Sequence, residues 1–460
     1  MKKSQLLTLL RSFSKKEIRD LRKWLQSPYH FQREDGLQLF EYLIAHQQED
    51  LEKETVYAAI FGQPYNDARM RQIIHFLKQA VADFLTFEAR RDPVREAVAY
   101  AAVLRERELL AEASRVLQRA GRLHEGGTLQ NADRLETGFL LSRELYDTDA
   151  RQRTGAYSIE PVIEQQELVF LTRRYRMACV RISQSRPDTP DQRLEAVETL
   201  LSSYPDSERP FALQFYHTLY HAYADENDDR FRKFLGLLAE HSIIFPDHEL
   251  RDLYLLAINF CIRRIHAGQR DYRSTMFNLY KRGLKKDVLL ENGEISPFAF
   301  KNIVTLGLDA RDYVWTEQFI QTYRHRLPNP YREQTPDFDL ANLYYQQGEY
   351  ERARQQIPIT YFRDPKLNLV ARTLLIKIYF HLEEFAVLES HLESTRTYLR
   401  RQKLDPPRRA MYKNLISCTK QLLRLASYRS GAAQRLRKRV QELPLLAERD
   451  WLLRMLGDTR

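Results

Sequence analysis

The chain has 460 residues, and its 15 glycines and 18 prolines are too few to supply the tight turns of a β-rich fold. A chain of this length exceeds a single hydrophobic core, so it forms either several domains or a stack of repeats. The abundance of Leu, Ala, Arg, Glu and Gln predicts an almost entirely helical protein, and the formal net charge of +10 favours anionic partners.

The three cysteines, Cys179, Cys261 and Cys418, lie far apart in the sequence. Their spacing matches neither a disulfide framework nor a thiolate metal site, so we expect free, buried thiols in a reducing compartment. The first residues lack the features of a signal peptide, and no window reaches the roughly 18 uninterrupted apolar residues that a membrane span needs. These features predict a cytoplasmic protein without a membrane span.

Residues 1–90 are predicted to form an N-terminal helical subdomain. Ser14 and Glu17 have the spacing of a capping box and should begin its second helix. Towards the end of the subdomain, a loop at 62–67 separates a short helix from a long one. Asp67 is the expected N-cap of that long helix.

The segment 54–85 of this subdomain is similar to the recognition half of winged-helix regulators. On a helical wheel Arg71, His75 and Lys78 lie together, opposite the apolar positions. A basic face of this kind can contact phosphates or base edges. Such charges are also typical of a solvated face, and no pair of wing strands follows the segment. DNA binding through this helix is therefore one hypothesis beside ordinary solvent exposure.

Residues 91–297 are predicted to form divergent helical hairpins, with a polar loop at 148–158. One of the helices has His217, His221 and Asp225 at i, i+4 and i+8, which is ligand spacing on one helix face. A polar stripe packed among tyrosines is the favoured alternative, because nothing nearby in the sequence completes a coordination sphere. No metal is therefore predicted.

The segment 298–402 has the clearest internal repeats. Tyr313, Tyr350 and Phe385 stand at the start of the second helix of three successive pairs, 37 and 35 residues apart. Such spacings indicate repeated helix pairs with a parent length of about 34 residues and short loop insertions.

The best copy, DLANLYYQQGEYERARQQIPITYFRDP at 339–365, resembles the tetratricopeptide repeat. The residues that match the pattern of that family are Leu340, Ala341, Tyr344, Gly348, Tyr350, Ala353 and Pro365. Other copies depart from the pattern, since Arg311 and Glu383 stand at the glycine position and Pro358 interrupts a helix. The resemblance implies an all-α fold, a right-handed superhelix of antiparallel helix pairs, and a non-enzymatic role in binding a protein or peptide.

The start of the chain is also similar to a bacterial family of helical-repeat proteins. The similar segments are FSKKEIRDLRKWLQSPYH at 13–30 and YNDARMRQIIHFLKQ at 65–79. That family has no known activity, so this similarity implies helical repeats but no particular function.

The tetratricopeptide-like resemblance further implies where a partner binds. In such stacks the first helix of each pair faces a concave wall, and Asn342 and Lys377 hold equivalent places on it. Aromatic rings beside them offer flat contact area. The wall residues implied in this way are Lys301, Asn302, Asn342, Tyr345, Lys377, Phe380 and His381. Ordinary solvent exposure is the alternative for each.

Residues 403–460 are predicted to form basic capping helices. From Arg396 to Arg439 the sequence has fourteen Lys or Arg and one acid, Asp405, so this stretch has a charge of +13. Such a concentration of positive charge favours binding to nucleic acid, an acidic protein tail or an anionic membrane surface. An equally weighted alternative is a charged cap that keeps the end of the stack soluble. The predicted anion-binding residues here are Arg408, Arg409, Arg435, Arg437, Lys438 and Arg439.

The familiar phosphate-loop, dinucleotide, serine-hydrolase and zinc-protease motifs do not occur in the sequence. We therefore expect no enzymatic activity and no cofactor. A protein- or peptide-binding scaffold is the first prediction. The alternative is a nucleic-acid-binding regulator that uses the helices of 54–85 or the basic segment 396–439.

Overall fold

The computed structural model describes residues 4–46, 51–89, 91–152, 158–184, 192–332, 335–357, 365–425 and 431–458. Helices account for 79% of the residues, which confirms the predicted all-α class. Within the described ranges the only strands are two antiparallel two-residue segments, β1 (Leu290–Glu291) and β2 (Glu294–Ile295). None of the described helices is both long enough and apolar enough to cross a lipid bilayer.

The chain divides into two compact units. Unit 1 comprises Met1–Arg174 and Gln192–Gln214, and unit 2 comprises Tyr175–Asp191 and Phe215–Arg460. The finer division into four segments at residues 90, 297 and 402 stays a prediction.

The helices of the first half of the chain are α1 (Gln5–Arg11), α2 (Lys15–Gln26), α3 (Glu34–Ala45), α4 (Lys53–Phe61), α5 (Asp67–Ala89), α6 (Pro93–Glu106), α7 (Leu110–Glu125), α8 (Ala132–Gln152), α9 (Glu160–Gln184), α10 (Gln192–Leu201) and α11 (Phe211–Ala224). They are followed by α12 (Asp228–Glu240), α13 (Asp247–His266), α14 (Tyr272–Lys285), α15 (Pro297–Asp309), α16 (Tyr313–Tyr323), α17 (Thr335–Gln347), α18 (Tyr350–Gln356), α19 (Pro365–His381), α20 (Phe385–Arg401), α21 (Pro406–Arg424), α22 (Ala432–Glu442) and α23 (Arg449–Asp458). Short 3-10 turns occur at Ser242–Ile244, Arg324–Arg326 and Asn329–Tyr331.

Helices α1 to α5 share one hydrophobic core in unit 1. The capping box at the start of α2 is confirmed, because the Ser14 amide donates to Glu17 Oε2 at 2.7 Å and the Glu17 amide donates to Ser14 Oγ at 3.2 Å. The N-cap of α5 is one residue earlier than predicted. Asn66 Oδ1 accepts from the Arg69 amide at 3.0 Å, whereas Asp67 accepts from the hydroxyl of Tyr65 at 2.7 Å.

Among the described residues, six helix pairs are joined by the same kind of turn. After the first helix, one residue takes a positive φ: Glu108 (61°), Glu226 (48°), Gly268 (93°), Arg311 (56°), Gly348 (81°) and Glu383 (58°). In each case the next amide donates to the carbonyl five residues before it, for example Glu349 to Tyr344 at 2.9 Å and Asp312 to Gly307 at 3.0 Å. This is a Schellman turn, which satisfies carbonyls at the helix end. The turn occurs before residue 298 as well as in the predicted repeats.

Neighbouring helices of the repeat region pack on one another in chain order, α15 on α16, α17 on α18 and α19 on α20. The first helices also contact each other, α15 with α17 and α17 with α19. Ala353 of α18 has no exposed surface, as expected for a close helix crossing. At Gly307 of α15, an added Cβ would lie 2.1 Å from Thr316 Oγ1 of α16. Small residues therefore permit these close crossings.

Two boundaries differ from the predictions. The loop expected at 148–158 begins later, because α8 continues to Gln152, while residues 153–157 lie outside the described part. Pro365, expected to close a repeat, is the first residue of α19. Proline is favoured there because its fixed φ suits a helix and its missing N–H has no partner at that position. Pro358 lies outside the described residues.

Candidate functional site

The predicted wall begins on α15 and α17 in unit 2. Lys301 is exposed and Asn302 is half-buried on α15, and Asn342 is half-buried on α17. The amide of Asn302 donates to the hydroxyl of Tyr280 at 3.3 Å. All three predicted side chains at this end therefore retain surface that a partner can contact.

Asp339 of α17 is a buried acid that the sequence prediction did not include in the wall. Asp339 is only 9% exposed, and its Oδ2 atom has no hydrogen-bond partner. Burial raises the pKa of this carboxyl to about 7, while the positive charge of Lys301 acts in the opposite direction. A buried polar atom without a partner is unfavourable, so a group that donates a hydrogen bond to it would be stabilising. The sequence signal was an acid between Phe338 and Leu340, where an apolar side chain would be expected.

The other end of the predicted wall forms a cluster of rings and one cation. The hydroxyl of Tyr345 lies 3.3 Å from His381 Nε2, and Lys377 Nζ lies 5.0 Å from the centroid of the Tyr345 ring. The Tyr350 ring stacks on that of His381, with centroids 4.5 Å apart. The structure thus brings Tyr345, Lys377 and His381 together, whereas their role in binding a partner stays a prediction.

Helix α23 and the residue before it cover this second end. Glu448 Oε2 lies 3.0 Å from Lys377 Nζ, and the Trp451 ring packs edge-on against Phe380 with centroids 5.4 Å apart. Trp451 is only 1% exposed and belongs to the core shared by the C-terminal helices. The aromatic surface expected for a partner at Phe380 therefore contacts the chain itself. Neither Glu448 nor Trp451 belongs to the repeat pattern, so this contact could not be predicted from the repeat spacing.

His217 and His221 lie on one face of α11, and Asp225 follows its end. The two imidazole rings have centroids 4.6 Å apart, and His221 Nδ1 lies 3.5 Å from Asp225 Oδ2. Arg230 Nε lies 3.7 Å from the same carboxylate oxygen, and the Tyr175 ring packs edge-on against His217. The residues are adjacent as their spacing predicted, and the acid also pairs with an arginine.

The three cysteines are free and buried, which confirms the prediction for them. Burial raises the pKa of each thiol above its usual range. The thiol of Cys179 donates to the carbonyl of Tyr216 at 3.2 Å. A thiol that stays protonated is a poor nucleophile and a poor metal ligand, so these residues belong to the packing of unit 2.

The basic face predicted on α5 has all three of its residues at the surface of unit 1. Arg71, His75 and Lys78 are exposed, and Ile73 and Leu77 are buried, as the helical wheel predicted. Arg71 forms an ion pair with the carboxylate of Asp67 one turn earlier. Lys78 Nζ donates to Gln5 Oε1 at 2.6 Å. Both cations of this face are therefore already in contact with polar groups of their own subdomain.

The six basic residues predicted near the end of the chain divide into two groups. Arg435, Arg437, Lys438 and Arg439 are exposed on α22. The half-buried residues Arg408 and Arg409 lie near the start of α21, where Arg408 is 3.6 Å from Asp405 and Arg409 donates to the carbonyl of Gln402 at 3.0 Å. The exposed group on α22 is therefore the part available to an anion.

No protein-family model, no curated protein and no solved structure matches this chain. The structure defines an all-helical protein, in which α15 and α17 carry polar side chains and α22 carries exposed cations.

Proposed function

We propose that this protein is a non-enzymatic scaffold that binds a partner protein or peptide along the wall of α15 and α17. In this proposal the helix pairs form a right-handed superhelix similar to a tetratricopeptide-repeat stack. The six Schellman turns support it, because they join successive helices in the same way. The proposed location is the cytoplasm, which the free thiols support.

The observation that carries the proposal is the unpartnered carboxylate oxygen of Asp339. Folded proteins satisfy most buried polar atoms, so the Oδ2 atom of a nine-tenths buried acid, which has no hydrogen-bond donor, calls for an explanation. Its neighbours on the same wall, Asn302 and Asn342, are amides that can both donate and accept hydrogen bonds. This combination suits an extended polypeptide that also presents a cation or a neutral donor.

In the proposed complex each polar group has a distinct role. Asp339 accepts hydrogen bonds from a lysine, an arginine or a terminal amine of the partner, which are the strongest donors that a peptide offers. Asn302 and Asn342 contact the partner backbone, which lets the wall hold segments of different sequence. Lys301 pairs with a carboxylate of the partner.

A selection from a library of short unstructured peptides tests this function. The wild-type chain is expected to enrich peptides with a basic residue, and the Asp339→Asn and Asn342→Ala variants are expected to lose them. Val314→Ala is the matched control, because Val314 is exposed in the same unit but lies on a second helix, α16. If no peptide is enriched, or if Asp339→Asn retains every peptide at wild-type affinity, the proposed wall is wrong.

A further inference from the structure

Three C-terminal helices of unit 2 present adjoining stripes of cations, which we call the basic face. Its members are Arg396 and Arg400 of α20, Lys413, Lys420 and Arg424 of α21, and Arg435 and Arg439 of α22. On α21 the cations and Ser417 are spaced at i, i+4, i+7 and i+11, which places them along one side of the helix. At a rise of 1.5 Å per residue this stripe is about 16 Å long.

Two contacts join the stripes into one surface. The ammonium group of Lys420 on α21 pairs with Glu393 of α20, which also lies 3.8 Å from Arg396. Within the same stripe of α21, Ser417 Oγ accepts a hydrogen bond from Arg439 of α22 at 3.4 Å. The cations of three helices are therefore neighbours in space as well as in sequence.

Most of the charge on this face is not neutralised by ion pairs with the described residues. Glu393 is shared by Lys420 and Arg396. No ion pair links Lys413, Arg424 or Arg435 to any residue in the described ranges. Like charges at this density repel one another, and an anion that bridges them relieves the repulsion.

The apolar side chains of the same helices point inward. Leu415 and Leu422 of α21 and Leu436 and Val440 of α22 are buried in the C-terminal core. From Leu388 to Glu442, no described large apolar or aromatic side chain is exposed. The described, exposed part of the face is therefore made of charged and polar side chains, which suits the phosphates of a nucleic acid better than a lipid bilayer, unpaired bases or an aromatic protein anchor.

We infer that the basic face binds the phosphate backbone of duplex nucleic acid without reading its sequence. A duplex strand carries one phosphate per 3.4 Å of helix axis, so a stripe of about 16 Å spans about five phosphates. Phosphate contacts position a duplex but do not distinguish bases, so we expect duplexes of unrelated sequence to bind alike. This activity is separate from the peptide wall, so each can fail without the other.

The test measures binding of the full chain to labelled DNA and RNA duplexes by fluorescence anisotropy over a range of salt concentrations. The variant Lys413→Gln, Arg424→Gln, Arg435→Gln and Arg439→Gln removes four cations from the face. The matched control Lys15→Gln, Lys16→Gln, Lys233→Gln and Arg270→Gln removes four exposed cations elsewhere. Circular dichroism checks that both variants keep the helical content of the wild type.

We expect the wild type and the control to bind duplexes of unrelated sequence with equal affinity and a steep salt dependence. The face variant should bind more than about tenfold more weakly, and its slope of log K against log salt should be smaller by about 3.6, at 0.9 for each lost contact on duplex DNA. Stronger binding to DNA than to RNA, or the reverse, identifies the natural duplex.

Three results would overturn the inference. The face variant could bind duplexes as tightly and with the same salt slope as the wild type. A single strand of the same sequence could bind more tightly than the duplex, which would require a base-stacking surface elsewhere. Finally, vesicles with anionic lipids or polyglutamate could bind the face while duplexes do not, which would assign it to a membrane or an acidic protein.

Discussion

Gly348 and Arg311 adopt the same left-handed backbone conformation, with φ of 81° and 56°, at equivalent turns 37 residues apart. The amide that follows each of them donates to the carbonyl five residues before it, at 2.9 Å after Gly348 and 3.0 Å after Arg311. Glycine adopts this conformation without strain, whereas a side chain makes it unfavourable. Tertiary packing of the helix pair therefore imposes the turn, and the residue type changes only its cost.

Exchanging residues at these turns tests that conclusion. Gly348→Ala should lower the free energy of unfolding by about 1 to 2 kcal/mol, because a Cβ is unfavourable at positive φ. Arg311→Gly should raise it by about 0.5 to 1 kcal/mol, since relief of strain exceeds the added entropy of the unfolded chain. Urea denaturation measures both values.

Gly236→Ala is the control for these exchanges. Gly236 lies within α12, no atom lies within 4 Å of an added Cβ, and its φ is not positive. Alanine should stabilise a helix interior by about 1 kcal/mol. A loss of stability at Gly236, or none at Gly348, would contradict the assignment of the turns.

Ala353 tests the register of the repeats. Ala353→Leu should lower the free energy of unfolding by about 1 to 3 kcal/mol, because the residue is fully buried where α17 and α18 pack together. Asn342→Ala, on the half-buried wall of α17, should leave stability nearly unchanged. Thermal melting of the two variants beside the wild type checks this difference. An unchanged melting temperature for Ala353→Leu would place the residue at the surface and refute the register.

The sequence predicted the helical class, the capping box at Ser14 and the close crossing at Ala353, because each depends on local spacing. It did not predict that the repeat turn recurs at Glu108 and Glu226, because the glycine that signals it is absent there. Because packing of the helix pair imposes such a turn and its hydrogen bonds are made by the backbone, the turn does not require a particular residue type.

The prediction of the wall was limited for a different physical reason. Periodicity placed Tyr345 and Lys377 on neighbouring helices, and the structure has them in contact. Periodicity within a repeat carries no information about a helix that follows the repeats. The contact of Trp451 with Phe380 depends on packing between residues 71 positions apart, so sequence spacing alone could not predict it.

Trp451 is expected to hold α23 on the wall. Trp451→Ala should lower the free energy of unfolding by about 3 to 5 kcal/mol, because a large side chain with 1% exposure leaves a cavity. Glu448→Gln should cost about 1 kcal/mol or less, since its ion pair with Lys377 is partly exposed to solvent. Urea denaturation distinguishes the two costs. Equal, small losses would show that α23 contributes little to the C-terminal core.

Asp339 predicts a pH dependence of stability. Its pKa is about 7 in the folded chain and near 3.8 when unfolded, so the folded state binds the proton more tightly. The free energy of unfolding should therefore fall as pH rises from about 4 to about 7, by at most about 1.4 kcal/mol per pH unit from this group. Asp339→Asn removes this titrating group. The free energy of unfolding of the variant, relative to that of the wild type, should therefore increase steadily as pH rises across that range. A difference that is independent of pH would mean that Asp339 titrates normally.

His391 predicts a dependence of the opposite sign. The ring is buried and Nε2 lies 3.0 Å from the carbonyl of Arg372, and burial lowers the pKa of His391 to about 4 from 6.5. The unfolded state then binds the proton more tightly, so the free energy of unfolding should fall as pH decreases from about 6.5 to about 4. In the wild type this loss offsets the gain from Asp339 over the same range.

His391→Gln, which keeps a donor for the carbonyl, should lose stability relative to the wild type at pH 7 and recover part of it at pH 5. Urea denaturation of the two single variants and the double variant at both pH values measures the two terms separately. The assignment of His391 would be wrong if the stability of His391→Gln relative to the wild type increased from pH 5 to pH 7, as is expected for Asp339→Asn. His391 would then be charged in the folded state.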